Sequence, residues 1–363
     1  MKTKLVLLLL LSVFVLAGCG SINRIEVNTV TKDVYVKDDL QIPVAKCNDK
    51  TVETKINTYI QLYELQNLYL NNPNTLFDKV NYIDEDSIVR GKTYIEYKEI
   101  RNDEICWSFS LQEIESWLTM HYWNRYYNFN PQTGDIYLCK DFIDSSKLDD
   151  FTKLVYDETC KQLIPKYIGD TNVYKKDYPD SVSFLDIVTL STFHNIWDYY
   201  YFTSDSLYFD IFSLLHKTWQ FVFEKTTLSL PIADIKPYLN DLVRNILVEK
   251  TINRKPIKRF DNKLYEVKQT DGQEFYFIPY DVDIRFDSVK YFYGLIIDKQ
   301  GNNFVILEDG VMNKEETEIQ FQMLDEKGEN IGLFYVFIDG NSLSGKITDM
   351  KKKELSQSTI KVY

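Results

Sequence analysis

The chain has few of the side chains on which metal and acid–base chemistry most often depend. It contains three histidines in 363 residues, His121, His194 and His216, which lie far apart in the sequence and beside aromatic residues. It also lacks the G-x-G-x-x-G, Walker, H-E-x-x-H and G-x-S-x-G motifs of dinucleotide, nucleotide, zinc-protease and serine-hydrolase sites. We therefore predict no metal, no cofactor and no catalytic residues, and a structural or surface role for each histidine.

Positive charge is also scarce. The chain has 42 lysines and arginines against 54 aspartates and glutamates, which gives a formal net charge of −12. Nucleic-acid binding depends on basic side chains that neutralise phosphates. We therefore expect no nucleic-acid partner.

No apolar run reaches the roughly 20 residues that a membrane-spanning helix needs. The longest follows Lys2 and Lys4, covers residues 5–11 and, after Ser12, continues over residues 13–16. A cationic start followed by a short apolar segment is typical of a secretory signal peptide. We therefore predict that the chain is exported.

The segment Leu16-Ala17-Gly18-Cys19 resembles the lipobox of bacterial lipoproteins. The resemblance implies that a signal peptide at residues 1–18 is removed and that Cys19 carries a diacylglyceryl thioether. The mature chain would then be held by lipid on a membrane of the cell envelope, in the periplasm or exposed at the surface. The alternative is an ordinary signal peptide followed by a chance cysteine.

Four further cysteines follow Cys19, and none belongs to a C-x-x-C pair, so a zinc knuckle or thioredoxin-type site is not supported. An even number of cysteines in an exported protein permits two disulfides. Four buried free thiols are the alternative, and the sequence leaves both open. These cysteines are Cys47, Cys106, Cys139 and Cys160.

Hydrophobic periodicity predicts an α+β unit over residues 19–250, an antiparallel sheet with packed helices. Apolar residues at helical spacing predict a helix over 51–70, and alternation predicts strands at 93–97, 105–111 and 123–129. Beyond these, the sequence predicts a hairpin at 130–138, a helix capped by Ser145-Ser146, paired strands at 199–203 and 207–212, a strand at 226–230, and a helix opened by Asp234 and Pro237 that continues to Leu247.

The pattern changes after Lys250. The basic stretch 254–259 is predicted to be a linker, and beyond it short alternating runs are separated by turn pairs such as Asp271-Gly272 and Asp339-Gly340. Such spacing is typical of consecutive β-hairpins. Residues 260–363 are therefore predicted to form a small all-β C-terminal domain, a barrel or a sandwich.

Three stretches of the first unit carry a resemblance to a known family of envelope domains. They are Ile42–Asn57, the run from His121 through a Thr-Gly turn to Phe142, and the hairpin Phe202–Phe209 followed by Leu230–Leu239. Together they resemble the RsiV-type ectodomain of lysozyme-sensing anti-sigma factors and the accessory domain of peptidoglycan deacetylases. The resemblance implies a domain of unknown function that contacts a protein or the cell wall.

Aromatic clusters at 122–127 and 197–201 are the candidate binding surface. Trp and Tyr offer flat apolar faces with a polar tip, which suit stacking on sugars or seating a protein loop, although strand alternation turns about half of each run toward the core. The predicted surface residues are His121, Trp123, Tyr126, Trp197 and Tyr200.

We hypothesise a non-catalytic envelope lipoprotein that binds a protein or a glycan, with lysozyme and peptidoglycan as the specific candidates. Lysozyme is basic, so the acidic charge favours it as a partner. The alternative is a carbohydrate hydrolase with two carboxylates, which would face each other across a cleft. Acidic doublets such as Asp103-Glu104 and Asp149-Asp150 are abundant, but solvated loops explain them equally well. Asp281, Asp283 and Asp287 are spaced like the start of a calcium loop, but we interpret them as a solvated strand face.

Overall fold

The architecture was established from a computed structural model. It describes residues 22–68, 75–83, 89–116, 120–159, 161–162, 199–212, 226–282, 291–300, 304–325, 327–340, 342–351 and 353–363. Cys19, Cys160, His194, Trp197 and His216 lie outside the described residues, as do Asp283 and Asp287.

The first unit is built on a twisted, mainly antiparallel sheet. Its strands are β1 Glu26–Lys32, β2 Leu40–Lys46, β3 Asn81–Ile83, β4 Val89–Asn102, β5 Trp107–Ser116 and β6 Met120–Phe129. The order is β1-β2-β4-β5-β6, with β3 on the start of β4, and a single parallel pairing joins β2 to β4 at Leu40 and Ile95. The strands predicted at 93–97, 105–111 and 123–129 are confirmed as β4, β5 and β6, and each contains more residues than predicted.

The predicted first helix, α1, spans Lys50–Leu65. Asp49 begins it by accepting hydrogen bonds from the backbone N–H groups of Thr51 and Val52, and Gln66 ends it in the left-handed conformation, with φ 51°. Its buried face packs on the sheet around Trp107 and other aromatic side chains. Among the described residues, no helix is long and apolar enough to cross a membrane.

A second sheet lies beside the first. It contains β7 Tyr200–Phe202, β8 Ser206–Asp210 and β9 Thr227–Pro231 in sequential antiparallel order, as the strand pattern predicts. Helix α2, residues 148–159, contributes Phe151 and Val155 to the core of this sheet. Its first turn is a short 3₁₀ segment capped by Asp144, which accepts from the Ser146 N–H, so the predicted serine cap is wrong by one residue.

The helix predicted from Asp234 to Leu247 is interrupted at Leu239 and Asn240. Helical turns occur before the break, at Ile232–Ile235 and Lys236–Tyr238, and after it Asp241–Val243 continues directly into the π-helical Arg244–Val248. Pro237 cannot donate a helical hydrogen bond, and after it Leu239 adopts an extended conformation and pairs with Ile143. Asn240 then caps the next turn by accepting from the Val243 N–H.

The C-terminal unit is a closed antiparallel barrel, one of the two predicted forms. Alternate residues point inward, among them Phe277 and Phe321, or outward, among them Ile278 and Ile297. The outward apolar residues join α1 in one core, so the two units share a hydrophobic interface. The strands are β10 Tyr265–Gln269, β11 Glu274–Val282, β12 Tyr291–Asp298, β13 Phe304–Met312, β14 Glu318–Leu324, β15 Asn330–Asp339, β16 Ser342–Thr348 and β17 Glu354–Val362, and β17 pairs with β10.

The basic stretch between the units is bound to the first unit at two residues. The Ile257 N–H donates to the Asp135 carboxylate at 2.9 Å, and Asp135 pairs with Lys55 of α1 at 2.5 Å. The side chain of Arg259 is buried, binds the Asp141 carboxylate and donates to the Ile136 carbonyl at 2.6 Å. One charge of the predicted solvated linker therefore forms a buried ion pair, whereas the other basic residues of the stretch are exposed.

The free-thiol alternative describes Cys47 and Cys106. Cys106 is buried, Cys47 is half-buried, and neither forms a disulfide. Burial raises the pKa of the Cys106 thiol to about 12. Burial, together with the charges of Glu53 and Asp49, raises the pKa of Cys47 to about 11.

We predict that Cys106 resists alkylation in the native protein at pH 8, because it is buried and only a thiolate reacts readily. In guanidinium without reductant, it should be modified at once. Peptide mass spectrometry after iodoacetamide treatment measures the two states. A Cys106 peptide that stays unmodified in guanidinium until reductant is added would contradict the free thiol.

The Thr-Gly turn before Ile136 depends on Gly134, whose φ is +69°. An added Cβ would lie 3.1 Å from Lys55 Cδ and 3.3 Å from the Val52 carbonyl oxygen. Gly272 also has a positive φ, +91°, but a Cβ there would meet nothing within 4 Å. Alanine substitutions at Gly134 and Gly272 therefore separate the cost of backbone strain from the cost of crowding.

We predict that Gly134→Ala lowers the free energy of unfolding by about 2–3 kcal/mol and that Gly272→Ala lowers it by about 1 kcal/mol. Urea unfolding of both variants measures the difference. Equal losses of unfolding free energy in the two variants would show that crowding of the added Cβ against α1 contributes nothing.

Candidate functional site

A cavity of about 250 Å³ lies beside β6, the last strand of the first sheet. Helix α1, the segment after the Thr-Gly turn, the start of β7 and the connection to the barrel supply its other walls. Most of the lining side chains are aromatic, and the residues are Tyr59, Tyr63, Trp123, Arg125, Tyr126, Tyr127, Ile136, Tyr137, Leu138, Tyr199, Tyr200 and Asn262.

Three of the predicted surface residues line this cavity. Trp123 and Tyr126 are half-buried, whereas Tyr200 is 2% exposed and its hydroxyl donates to the Tyr137 carbonyl. His121 does not line the cavity, although its ring stacks on Trp123 with centroids 6.2 Å apart. Trp197 lies outside the described residues. The structure thus brings together Trp123, Tyr126 and Tyr200.

Hydrogen bonds hold the rim of the cavity in place. The Tyr126 hydroxyl donates to Asp210 Oδ2 at 2.6 Å, which joins β6 to β8. Burial and the neighbouring Asp210 carboxylate raise the pKa of Tyr126 far above its usual range. On the opposite side, the Tyr59 hydroxyl donates to Asn262 Oδ1 at 3.0 Å and joins α1 to the segment that enters the barrel.

Behind the cavity lies a buried charge cluster that consists of Glu64, Lys92, Glu113 and Arg125. Lys92 Nζ is 2.7 Å from Glu64 Oε2 and 2.9 Å from Glu113 Oε1. Both glutamate side chains are fully buried, and the Tyr127 hydroxyl donates to Glu64. Three strands and α1 therefore converge on two carboxylates.

Strand register places Arg125 in this cluster. Arg125 of β6 pairs with Leu111 of β5, and Glu113 pairs with Trp123, so Arg125 and Glu113 are diagonal neighbours on one face. Arg125 Nε lies 3.6 Å from Glu113 Oε2 and 3.9 Å from Glu64 Oε1. The guanidinium carbon is 5.5 Å from the centre of the Tyr63 ring.

The two carboxyl groups titrate differently. Burial and the neighbouring Glu64 charge raise the pKa of Glu113 to about 8. Burial also acts to raise the pKa of Glu64, but the charges of Arg125 and Lys92 outweigh it and hold that pKa well below its usual range. Of the two carboxyl groups, Glu113 therefore takes up a proton far more readily than Glu64.

This acid pair does not have the arrangement of a glycoside hydrolase. Such enzymes expose two carboxyl groups to the sugar, about 5 Å or about 6.5–9.5 Å apart, whereas Glu64 and Glu113 are fully buried and do not line the cavity. Asp103 serves a turn by accepting from the Ile105 and Cys106 N–H groups. Among the described residues, no group of three His, Cys, Asp or Glu side chains could hold a metal ion.

The sequence offers little signal for the other lining residues. Tyr59 and Tyr63 lie four residues apart on one face of α1, a spacing that a helical pattern reveals. Arg125 sits within the aromatic run of β6, where alternation alone does not separate a surface charge from a buried one. Asn262 lies at the start of the predicted all-β C-terminal domain, just after the predicted linker at 254–259, where no sequence pattern distinguishes it, so sequence reasoning missed it.

No family model matches the chain, and no curated protein matches it. Among solved structures, the chain is similar to the crystal structure of a member of the DUF3298 family from Bacteroides fragilis, an uncharacterised family. The two share 10% sequence identity with a TM-score of 0.42, over 64% of this chain and 100% of that chain.

The raised pKa of Glu113 predicts a pH-dependent stability. The unfolded chain loses the Glu113 proton near pH 4.5 and the folded chain near pH 8, so this group reduces stability progressively as pH rises between those values. Glu113→Gln keeps the shape of the protonated group and removes the titration. We expect the variant to gain about 1–3 kcal/mol relative to the parent between pH 5 and pH 9.

Urea unfolding across that pH range measures the gain. Glu96→Gln, on the exposed face of β4, is the matched control and should show no pH-dependent difference from the parent protein. Identical pH profiles for Glu113→Gln and the parent would contradict the protonation of Glu113 in the folded state.

Proposed function

We propose that this protein is a lipid-anchored component of the cell envelope and that its α+β unit binds carbohydrate in the cavity beside β6 without catalysing a reaction. The observation that carries the proposal is the wall of the cavity, which is formed by Trp123 and several tyrosines and also includes Arg125 and Asn262.

The chemistry of the wall matches a sugar. Aromatic rings supply flat apolar faces for the C–H face of a pyranose, while phenol, amide and guanidinium groups can bond to hydroxyls and carbonyls. Drug-sized ligands occupy pockets of about 300–1,000 Å³. A cavity of about 250 Å³ therefore fits one sugar ring, such as a terminal residue or a ring within a longer glycan.

The resemblances in the sequence support the same environment. The Leu16–Cys19 lipobox would place the protein on an envelope membrane, and the RsiV-type pattern is that of domains that meet lysozyme or the cell wall. Lysozyme is a competing partner favoured by the net charge of −12. A protein interface of standard size buries about 800 Å² on each partner, whereas the cavity accommodates one side chain at most.

Binding of soluble peptidoglycan fragments to the full-length lipidated protein in detergent tests the proposal. Isothermal titration should detect binding, and Trp123→Ala should weaken it by about tenfold or more. Trp123→Phe keeps a flat face and should retain most of the affinity. Tyr35→Ala removes an aromatic ring that is 65% exposed on the turn between β1 and β2, and should have no effect.

Two outcomes would contradict the proposal. One is the absence of binding to any glycan fragment. The other is retention of lysozyme with unchanged affinity in Trp123→Ala, which would indicate a protein partner at another surface.

A further inference from the structure

The Arg125 side chain has an incomplete set of partners. Its Nε atom faces the two buried glutamates at 3.6 and 3.9 Å, which are longer than hydrogen bonds. The side chain is 33% exposed and lines the cavity. Among the described residues, the terminal guanidinium nitrogens have no hydrogen-bond acceptor.

The hydrogen bonds that the two carboxyl groups accept come from other residues. Lys92 donates to both, at 2.7 and 2.9 Å, and Tyr127 donates to Glu64, while Glu113 Oε2 has no hydrogen-bond partner among the described residues. Arg125 therefore interacts with the glutamates through charge at longer range. Its guanidinium carbon lies 5.5 Å from the centre of the Tyr63 ring, a cation–π contact that helps to hold the side chain at the wall of the cavity.

A guanidinium fork held in this way matches a carboxylate, which it can bind through two parallel N–H···O hydrogen bonds. The site favours an anion, because Arg125 lines the cavity and its terminal nitrogens have no hydrogen-bond acceptor among the described residues. Partial burial strengthens such a pair relative to one in open solvent.

We infer that the ligand of the cavity is a sugar that carries a carboxylate, which pairs with Arg125 while the ring packs on Trp123. This inference rests on the carbohydrate-binding function proposed above and specifies its ligand class. The carboxylate can belong to a uronic acid or to an acidic ether substituent on an amino sugar, and the two sources share the same recognition chemistry.

Two matched pairs of sugars test the inference with the full-length lipidated protein in detergent. Glucose and glucuronic acid differ only in the oxidation state of C6, and N-acetylglucosamine and N-acetylmuramic acid differ only in the lactyl ether. We expect the acidic member of at least one pair to bind about tenfold more tightly. The pair that shows the preference identifies the source of the carboxylate.

Substitutions of Arg125 test whether this side chain causes the preference for the acidic sugar. Arg125→Gln should abolish it, so that the acidic and the neutral member of the pair bind with equal affinity, and an unchanged near-ultraviolet circular dichroism spectrum shows that the variant remains folded. Arg125→Lys retains charge without the fork and should retain part of the preference. Lys98→Gln, which removes a positive charge from an exposed position on β4, is the matched control and should leave the preference intact.

The outcomes separate this inference from the proposed function. If no sugar of either pair and no larger glycan binds, the carbohydrate-binding function itself is wrong. If neutral and acidic members bind the parent protein equally, the function stands and the role of Arg125 is overturned. An acidic preference that survives in Arg125→Gln would also overturn that role.

Discussion

The buried carboxylate of Glu64 is the constraint on which the first unit depends. An ionised group without solvent costs several kcal/mol unless opposite charge and hydrogen bonds surround it. Lys92 of β4, Arg125 of β6 and the Tyr127 hydroxyl supply that compensation. The position of α1 over the sheet is therefore fixed by charge as well as by apolar packing, and Arg125 is held at the wall of the cavity by the same requirement.

The walls of the cavity come from parts of the chain that are distant in sequence, so the cavity exists only where other contacts hold these parts together. Asp135 joins the Thr-Gly turn, α1 and the connection to the barrel through Lys55 and the Ile257 N–H. Arg259 joins the same connection to Asp141. The barrel contributes as well, because Tyr280 packs edge-on against Tyr63 with ring centres 5.8 Å apart. The C-terminal unit thus supports the helix that forms one wall.

Local patterns predicted much of the fold. Helix α1, the strands at 93–97, 105–111 and 123–129, the hairpin of β7 and β8, and the all-β character of the C-terminal unit follow from the spacing of apolar residues between neighbours in the chain. The predicted helix at Asp234–Leu247 is interrupted because a long-range pairing of Leu239 with Ile143 competes with it after Pro237. Of the candidate site, the sequence indicated Trp123, Tyr126 and Tyr200, because dense aromatic runs stand out without structural information.

Taken alone, the sequence determined the alternation of the strands, the position of the first helix and the succession of β-hairpins in the C-terminal unit. It also predicts the lipid anchor at Cys19. Only the tertiary structure decided that Arg125 meets Glu64 and Glu113, that Arg259 is buried rather than solvated, and that tyrosines from α1 face Trp123 across one cavity. The physical reason is how far apart in the sequence the interacting residues lie. Periodicity is set by adjacent residues, whereas ion pairs and cavities depend on strand register and helix packing, which residues far apart in the chain fix together.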